Sequence, residues 1–179
     1  MVNISVMIVS VVMSHAPLPH YETVSEDALV EAAQKTWEVS EEKARILVSG
    51  ARLGGQLADV HPGWLLSMAY HESRFNWGAR GDCKKGKKRC LAYGLCQIHY
   101  HTAKGVVDGL RREDLLNPFL NLIVAALLYK KYIKRDGRDR AHIAYACGRG
   151  CKGATTTPTF HKRYNMAKKF MANINRRKR

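Results

Sequence analysis

The chain has 179 residues, which is enough for one compact domain and too few for two. Apolar residues make up 46% of it, so a hydrophobic core can form and an intrinsically disordered chain is excluded. Lysine and arginine total 30 against 15 acidic residues, which gives a net charge of +15. Such a surface favours polyanionic partners, and charge alone leaves both nucleic acid and an anionic cell envelope open.

The N-terminal segment, residues 1–17, is largely apolar between residues 2 and 13. This stretch is too short to cross a membrane as a helix. Two interpretations stay open: the apolar region of a signal peptide that ends in Ser14-His15-Ala16, or a β-prone arm. We expect the main domain to occupy residues 20–155, and a basic helix with a loose tail to occupy residues 156–179.

After the N-terminal segment the hydrophobic pattern is helical almost throughout, so the sequence predicts a mainly α domain. Thr23 with Glu26 predicts a capping box for a first helix that ends near Trp37. Ser40 is the predicted cap of a second helix, which Gly50 stops. The second and later predicted helices span 41–48, 62–73, 117 to about 133, 139–146 and 158 onward, with a loop at 78–91.

The cysteines are candidates for short disulfide loops. There are five, at positions 83, 90, 96, 147 and 151. Cys83 and Cys90 bracket a lysine-rich stretch, and Cys147 and Cys151 bracket Gly-Arg-Gly. Either pair can close a loop, while cross-pairing and five reduced thiols also fit the sequence. Cys96, in an apolar stretch, is the expected odd cysteine. No Cys-x-x-Cys pair is present, and we expect neither a metal site nor a cofactor.

The predicted helix 62–73 carries a carboxylate on its apolar face. Three apolar residues share a face with Glu72 through the i, i+3, i+4, i+7 spacing, namely Leu65, Met68 and Ala69. Burial of a carboxyl group disfavours its charged form and raises its pKa, as a general acid at neutral pH requires. The structural alternative is that Glu72 marks where the helix leaves the core and pairs with Arg74 or Arg80.

A second polar residue interrupts an apolar run further along the chain. Gln97 lies between Cys96 and Ile98. If it is buried, its amide must find hydrogen-bond partners. If it faces a cleft, the amide is available to a polar substrate.

Several short motifs then occur in the order typical of one enzyme family. The first are Glu72-Ser73-Arg74-Phe75-Asn76, Gly94-Leu95-Cys96-Gln97-Ile98 and Thr102-Ala103. These are followed by Asn117-Pro118, Asn121, Ala125-Ala126 and Tyr129, and by Ala144-Tyr145-Ala146-Cys147-Gly148. Over about residues 58–150 the chain resembles the catalytic domain of soluble lytic transglycosylases, in the lysozyme-like superfamily.

The resemblance implies a goose-type lysozyme fold and cleavage of peptidoglycan at the β-1,4 bond between N-acetylmuramic acid and N-acetylglucosamine. Glu72 would act first as acid and then as base, and the product would be a 1,6-anhydro sugar. The resemblance also implies substrate-binding residues, which we assign to Ser73, Tyr93, Gln97 and Tyr145. For Ser73 and Tyr145 a structural role fits the sequence equally well.

The chain departs from the family pattern at three points. Cys96 stands where the family has methionine, and Ala146 stands where it has the asparagine after the tyrosine. The second departure puts in doubt one substrate-side hydrogen bond that the resemblance implies. The third is the lysine-rich insert between Cys83 and Cys90, which suggests an adapted rim over the cleft.

Two other functions remain as alternatives. A hydrolytic muramidase of the same fold would need a second carboxyl, and Asp82 is the nearby one, although an Asp after Gly is more often a turn residue. A basic nucleic-acid-binding protein with a degenerate enzyme fold would explain the charge, but no recognised nucleic-acid motif occurs.

The expected partners are peptidoglycan glycan strands and an anionic cell-wall surface, with no nucleic acid and a monomeric chain. The expected place of action is the bacterial cell wall, in the periplasm or outside the cell. The length and the lack of wall-binding repeats predict a single catalytic module. The strong basic charge favours a phage endolysin over a housekeeping enzyme.

Overall fold

The structure, a computed structural model, describes residues 24–83, 90–137, 141, 144–145 and 158–175. Within 158–175 it describes the whole backbone and the side chains of 162, 165–167, 169–170 and 172–174. The helices are α1 (Glu26–Trp37), α2 (Glu41–Ala58), α3 (Pro62–Ser73), α4 (Tyr100–Ala103), α5 (Pro118–Asp136) and α6 (Pro158–Asn175). Three short strands, β1 (Arg80–Gly81), β2 (Ala92–Tyr93) and β3 (Ile98–His99), and a 3-10 helix (Glu113–Leu116) complete the described elements. The prediction of a mainly α domain is confirmed.

The centre of the domain is the packing of α2 against α5, which have the most extensive contact of any two described elements. The prediction that Gly50 stops the second helix is wrong, because α2 continues through it to Ala58. A Cβ atom at position 50 would lie 3.0 Å from Leu122 Cδ1 and 3.2 Å from Phe119 Cα. The glycine therefore permits close approach of the two helices, and this packing outweighs its helix-propensity cost of about 1 kcal/mol.

The first helix begins at a different cap from the one predicted. Ser25 is the N-cap of α1, and its hydroxyl accepts a hydrogen bond from the Ala28 N–H at 3.2 Å. The predicted cap at Thr23 is therefore wrong. Ser and Thr have similar capping ability, so the choice between two such residues depends on where the first buried turn begins.

The predicted helix starts at Ser40 and Asn117 are confirmed, and His61 is a cap that the sequence did not predict. Ser40, His61 and Asn117 cap α2, α3 and α5, and accept hydrogen bonds from the N–H groups of Lys43, Gly63 and Leu120 at 3.3, 3.0 and 3.0 Å, respectively. The predicted span of α3 is confirmed, with Pro62 in its first turn, where the missing N–H has no helical partner to lose. The helix α5 begins as predicted and continues to Asp136 instead of ending near Ile133.

The region predicted as a loop, residues 78–91, contains the first strand of a small antiparallel sheet. Its order is β1-β2-β3, with Arg80 opposite Tyr93 and Ala92 opposite His99. A disulfide joins Cys83 to Cys90, with their Cα atoms 4.0 Å apart, and closes the connection between β1 and β2. Of the cysteine pairings that the sequence left open, the described residues contain the Cys83–Cys90 loop, and Cys96 is buried.

The C-terminal helix α6 packs back onto the domain against α1 and α3. Phe170 is fully buried, and its ring stacks on Trp37 with the centroids 5.0 Å apart. The Asn173 amide donates a hydrogen bond to the Thr36 hydroxyl at 2.9 Å. These contacts make α6 part of the folded domain. The side chains of 160, 164 and 171, which suggested this packing in the sequence, lie outside the described residues.

Several predictions concern residues outside the described ranges, namely the N-terminal segment 1–17, the lysine-rich stretch 84–89, the Cys147–Cys151 pair, Ala146 and the tail 176–179. Of the predicted helix 139–146, Ala141, Ala144 and Tyr145 are described and are helical. No helix in the described part of the chain is long and apolar enough to span a bilayer.

The disulfide should contribute measurably to stability. Replacing Cys83 and Cys90 together by serine should lower the free energy of unfolding by about 2 kcal/mol, because a short cross-linked loop restricts the unfolded chain. Denaturant unfolding of the oxidised protein and of the double variant measures this difference. An unchanged midpoint would show that the cross-link does not stabilise the fold.

The cap of α3 predicts a pH dependence. Burial lowers the pKa of His61 below its ordinary value of 6.5, and protonation would also remove the acceptor that its Nδ1 offers to Gly63. The unfolded chain then binds the proton more tightly, so stability is complete above about pH 6.5 and is lost as the pH falls towards the folded-state pKa. His61→Asn, which retains a capping side chain, should flatten the stability curve between about pH 7 and pH 5. An equally steep loss in both proteins would contradict this role.

Candidate active site

Glu72 is the penultimate residue of α3 and is half-buried. The three residues that share its face, Leu65, Met68 and Ala69, are buried, so the apolar face predicted from the sequence is present. The carboxyl group therefore lies where the buried face of α3 reaches the surface of the domain.

Two consecutive left-handed residues end α3 immediately after the Glu72-Ser73 pair. Arg74 and Phe75 have φ angles of 54° and 59°, and the Arg74 N–H closes the helix on the Tyr70 carbonyl at 2.8 Å. Phe75 is 1% exposed, and its ring contacts that of Trp37 edge-on at 5.4 Å between centroids. The buried ring fixes the backbone direction after Glu72, because non-glycine residues adopt this conformation only when packing holds them there.

A chain of backbone hydrogen bonds connects the end of α3 to the turn that carries Gln97. The Asn76 N–H donates to the Ser73 carbonyl at 3.0 Å, and the Ala79 N–H donates to the Asn76 carbonyl at 3.2 Å. The Gly94 N–H then donates to the Ala79 carbonyl at 2.8 Å. The structure thereby brings the Glu72-Ser73 and Gly94–Gln97 motifs together, although they are more than twenty residues apart in the sequence.

The Gly94–Gln97 segment is a tight turn between β2 and β3. Its first and last residues have positive φ, 72° at Gly94 and 47° at Gln97. The Gln97 N–H and side-chain Nε2 both donate to the Gly94 carbonyl, at 3.1 and 2.9 Å. The side-chain Oε1 of Gln97 lies over β1, so close to Gly81 that a Cβ there would approach it to 2.2 Å. The half-buried amide therefore donates to the Gly94 carbonyl at its nitrogen end and lies against Gly81 at its oxygen end.

The buried amide of Asn121 holds this turn from beneath. Asn121 is 0% exposed, and its Oδ1 accepts from the Cys96 N–H at 2.8 Å. Its Nδ2 donates to the Tyr93 and Leu115 carbonyls at 3.0 and 2.7 Å. Both amide hydrogens are used, so the orientation of the amide is fixed by its partners. A Cβ on Gly94 would lie only 2.3 Å from the Asn121 Nδ2, so this contact requires glycine.

The tyrosines and the serine predicted to bind substrate all have partners within the protein. The Tyr145 hydroxyl donates to the Cys96 carbonyl at 3.1 Å, and the Tyr93 hydroxyl donates to the Cys90 carbonyl at 2.8 Å. Tyr93 is buried, whereas Tyr145 is half-buried. The Ser73 hydroxyl donates to the Ala69 carbonyl at 3.1 Å, one turn back in α3. These bonds give each residue a structural role, and substrate contact by any of them stays a prediction.

The second carboxyl considered in the sequence, Asp82, lies at the exposed edge of the sheet. Its Oδ2 is 2.5 Å from the His99 Nε2, and the two side chains are 62% and 48% exposed. The pair connects the end of β1 to β3 across the central strand. Among the described residues, no group of three or more His, Cys, Asp or Glu side chains is arranged to hold a metal ion.

Asn121 was named in the sequence only as part of the family motif, without a role in the site. The sequence did contain evidence for a structural role of Asn121, because an asparagine in the middle of an apolar helix must find hydrogen-bond partners when it is buried. Which backbone groups it meets could not be read from the sequence, because its three partners belong to segments 6 to 28 residues away.

Asn121→Ala should lower the free energy of unfolding by about 3 kcal/mol, because three buried backbone groups lose their partner. Asn117→Ala is the matched control on the same helix: its amide is an exposed N-cap, so the loss should be about 1 kcal/mol. Denaturant unfolding compares the two variants. Equal losses would contradict a special role for the buried amide.

Comparisons with known proteins identify the family. The family model of the transglycosylase SLT domain matches residues 54–167, a segment that begins in α2, ends in α6 and contains Glu72, the sheet, the Gly94–Gln97 turn and Asn121. Comparisons with curated proteins and with solved structures gave no significant match. The family match covers more than half of the chain. The chain therefore belongs to the SLT domain family of peptidoglycan-cleaving lytic transglycosylases, in the lysozyme-like superfamily.

Proposed function

We propose that the protein is a lytic transglycosylase that cleaves the β-1,4 bond between N-acetylmuramic acid and N-acetylglucosamine, with Glu72 as its catalytic residue. The observation that carries this proposal is the position of Glu72. It lies half-buried at the end of an apolar helix face, and a hydrogen-bonded chain joins that end to the Gln97 turn. A carboxyl group with limited hydration is suited to donate a proton.

One carboxyl group is sufficient for this reaction. Glu72 donates its proton to the glycosidic oxygen as the bond from that oxygen to C1 of the muramyl residue breaks. The resulting carboxylate accepts the proton of the C6 hydroxyl of the same muramyl residue as its oxygen bonds to C1. The nucleophile belongs to the substrate, so no water is consumed and the attack has the advantage of an intramolecular reaction.

Gln97 and Tyr145 are the proposed positioning residues. The Gln97 amide and the Cys96 carbonyl, which accepts from the Tyr145 hydroxyl, belong to the same tight turn. Gln97 is half-buried, so part of its amide is accessible to a sugar. Ser73 at the end of α3 is a further proposed substrate contact. Tyr93 is a weaker one, because the side chain is only 6% exposed.

Hydrolysis with Asp82 as second carboxyl has less support. A base in an inverting enzyme must hold a water molecule near the sugar, opposite the acid. The Asp82 carboxylate already contacts His99 at the sheet edge. A φ of 52° at Asp82 agrees with a turn residue. The hydrolytic reaction therefore serves as the alternative outcome of the product measurement below.

The net charge supports an anionic wall as the surface on which the enzyme acts, in the periplasm or outside the cell. Nucleic acid is not among the proposed partners, and the chain is proposed to act as a monomer. We further propose that the protein is a phage endolysin with bacteriolytic activity. This proposal rests on the basic charge and on the single catalytic module.

Glu72→Gln should reduce the rate of cleavage of purified peptidoglycan by roughly 10³-fold or more, because the amide can neither donate nor accept the required proton. The fold should be retained, as circular dichroism and denaturant unfolding would verify. Glu42→Gln is the matched control: it makes the same change at an exposed residue of α2 and should leave the rate unchanged. Full activity of Glu72→Gln would exclude the proposed catalytic role.

Mass spectrometry of the fragments released by the unaltered enzyme identifies the reaction. Transglycosylation gives 1,6-anhydro ends, which are lighter by one water than the reducing ends that hydrolysis gives. Reducing ends together with inactivity of Asp82→Asn would replace the proposed reaction by the hydrolytic one.

A further inference from the structure

A half-buried arginine without an acidic partner lies just beyond the Gln97 turn. The guanidinium carbon of Arg112 is 4.5 Å from the centroid of the Tyr100 ring. Among the described residues, no acceptor takes a hydrogen bond from this guanidinium and no carboxylate pairs with it. Because a half-buried cation has lost part of its hydration, these donors are favourable partners for an incoming anion.

Several other arginines of the described residues form ion pairs with acidic residues, whereas Arg74, which is exposed, lies over the Tyr70 ring. Arg111, the neighbour of Arg112, forms an ion pair with Asp114 at 3.1 Å. Arg45 pairs with both Asp27 and Glu41, at 3.0 and 2.7 Å. Two adjacent residues therefore differ: the charge of Arg111 is neutralised by an ion pair within the protein, whereas the Arg112 guanidinium lies against an aromatic ring.

Two lysines add positive charge to the same surface. The Lys104 Nζ is 5.9 Å from the centroid of the Tyr100 ring. The Lys131 Nζ donates a hydrogen bond to the Gly105 carbonyl at 3.2 Å. Apart from Asp114, this stretch contains two acidic residues, Asp108 and Glu113. Both are exposed, and neither forms an ion pair with these cations in the described part of the chain. The cluster therefore has a net positive charge.

The cluster formed by Arg112, Lys104 and Lys131 is close to the Gln97 turn. Tyr100 follows Gln97 by three residues, so the two Cα atoms are at most about 11 Å apart. The Tyr100 N–H donates to the Leu91 carbonyl at 3.2 Å, which attaches the start of α4 to the β1–β2 hairpin. The Tyr100 ring therefore links Arg112 to the segment that begins at the Gln97 turn, and an anion bound by Arg112 is within reach of a strand that contacts Gln97.

We propose that Arg112, assisted by Lys104, binds a carboxylate of the stem peptide on the glycan strand. This subsite rests on the proposed function, because it assumes that the strand lies along the Gln97 turn. When the face of a guanidinium lies over a ring, the N–H groups along its edge can still donate hydrogen bonds. Two of these N–H groups match the two oxygens of a carboxylate. Each stem peptide is attached to a muramyl residue, so its carboxylates recur along the strand at the side of the sugars.

The test compares two substrates: soluble glycan strands that carry their stem peptides, and the same strands after an amidase has removed the peptides. Arg112→Gln should raise KM for the peptide-bearing strands roughly tenfold, as expected for loss of a charge-assisted hydrogen bond, and leave kcat unchanged. KM for the stripped strands should not change. Lys104→Gln, at an exposed position, should give a smaller increase with the same substrate preference.

Arg45→Gln is the matched control, because it removes the same charge from an arginine at the start of α2; it should leave both KM values unchanged. Converting the stem carboxylates to amides should reproduce the Arg112→Gln defect with the unaltered enzyme. If Arg112→Gln raises KM equally for both substrates, or for neither, the subsite is overturned while the proposed function stands. If the unaltered enzyme cleaves neither substrate, the proposed function itself has failed.

Discussion

The buried amide of Asn121 is the interaction on which the site depends. It satisfies one N–H and two carbonyls from β2, the Gly94–Gln97 turn and the 3-10 helix. Inside a domain an unpaired polar group is costly and a satisfied one is strongly directional. A single side chain on the central helix α5 therefore fixes the position of a turn that has little regular structure of its own.

The site combines a stable helix, α3, with a small sheet that has little stability of its own. α3 is a capped helix with a buried face, whereas each strand of the sheet has only two residues. So small a sheet is not stable in isolation. It is held by connections to its surroundings: the Cys83–Cys90 disulfide, the Asn121 amide and the Tyr145 hydroxyl. The geometry of the Gln97 turn thus depends on these cross-connections more than on the sheet itself.

The excess of positive charge contributes more to the attraction of anionic partners than to the stability of the fold. Acidic residues at the start of α1 and α2, such as Asp27 and Glu41, are paired with Arg45, and exposed pairs of this kind contribute little to stability. With 30 basic residues against 15 acidic ones, many cations have no acid to pair with. Their summed field attracts anionic polymers over a distance set by the salt concentration.

By itself the sequence determined the helical class, the span of α3, the caps at Ser40 and Asn117, and the pairing of Cys83 with Cys90 as one of several options. These features depend on neighbours within a few residues, where periodicity, capping and loop length act directly. It also placed Glu72 on the apolar face of α3, since a carboxylate on such a face is a local conflict that a short window of sequence reveals.

Tertiary structure decided the rest. α2 runs through Gly50 because another helix packs there, and Ser25 instead of Thr23 caps α1. The meeting of the Glu72 segment with the Gln97 turn, and the three partners of Asn121, arise from groups far apart in the chain. No local pattern specifies such contacts, because their energy is gained only when the whole core is assembled and water has been excluded from it.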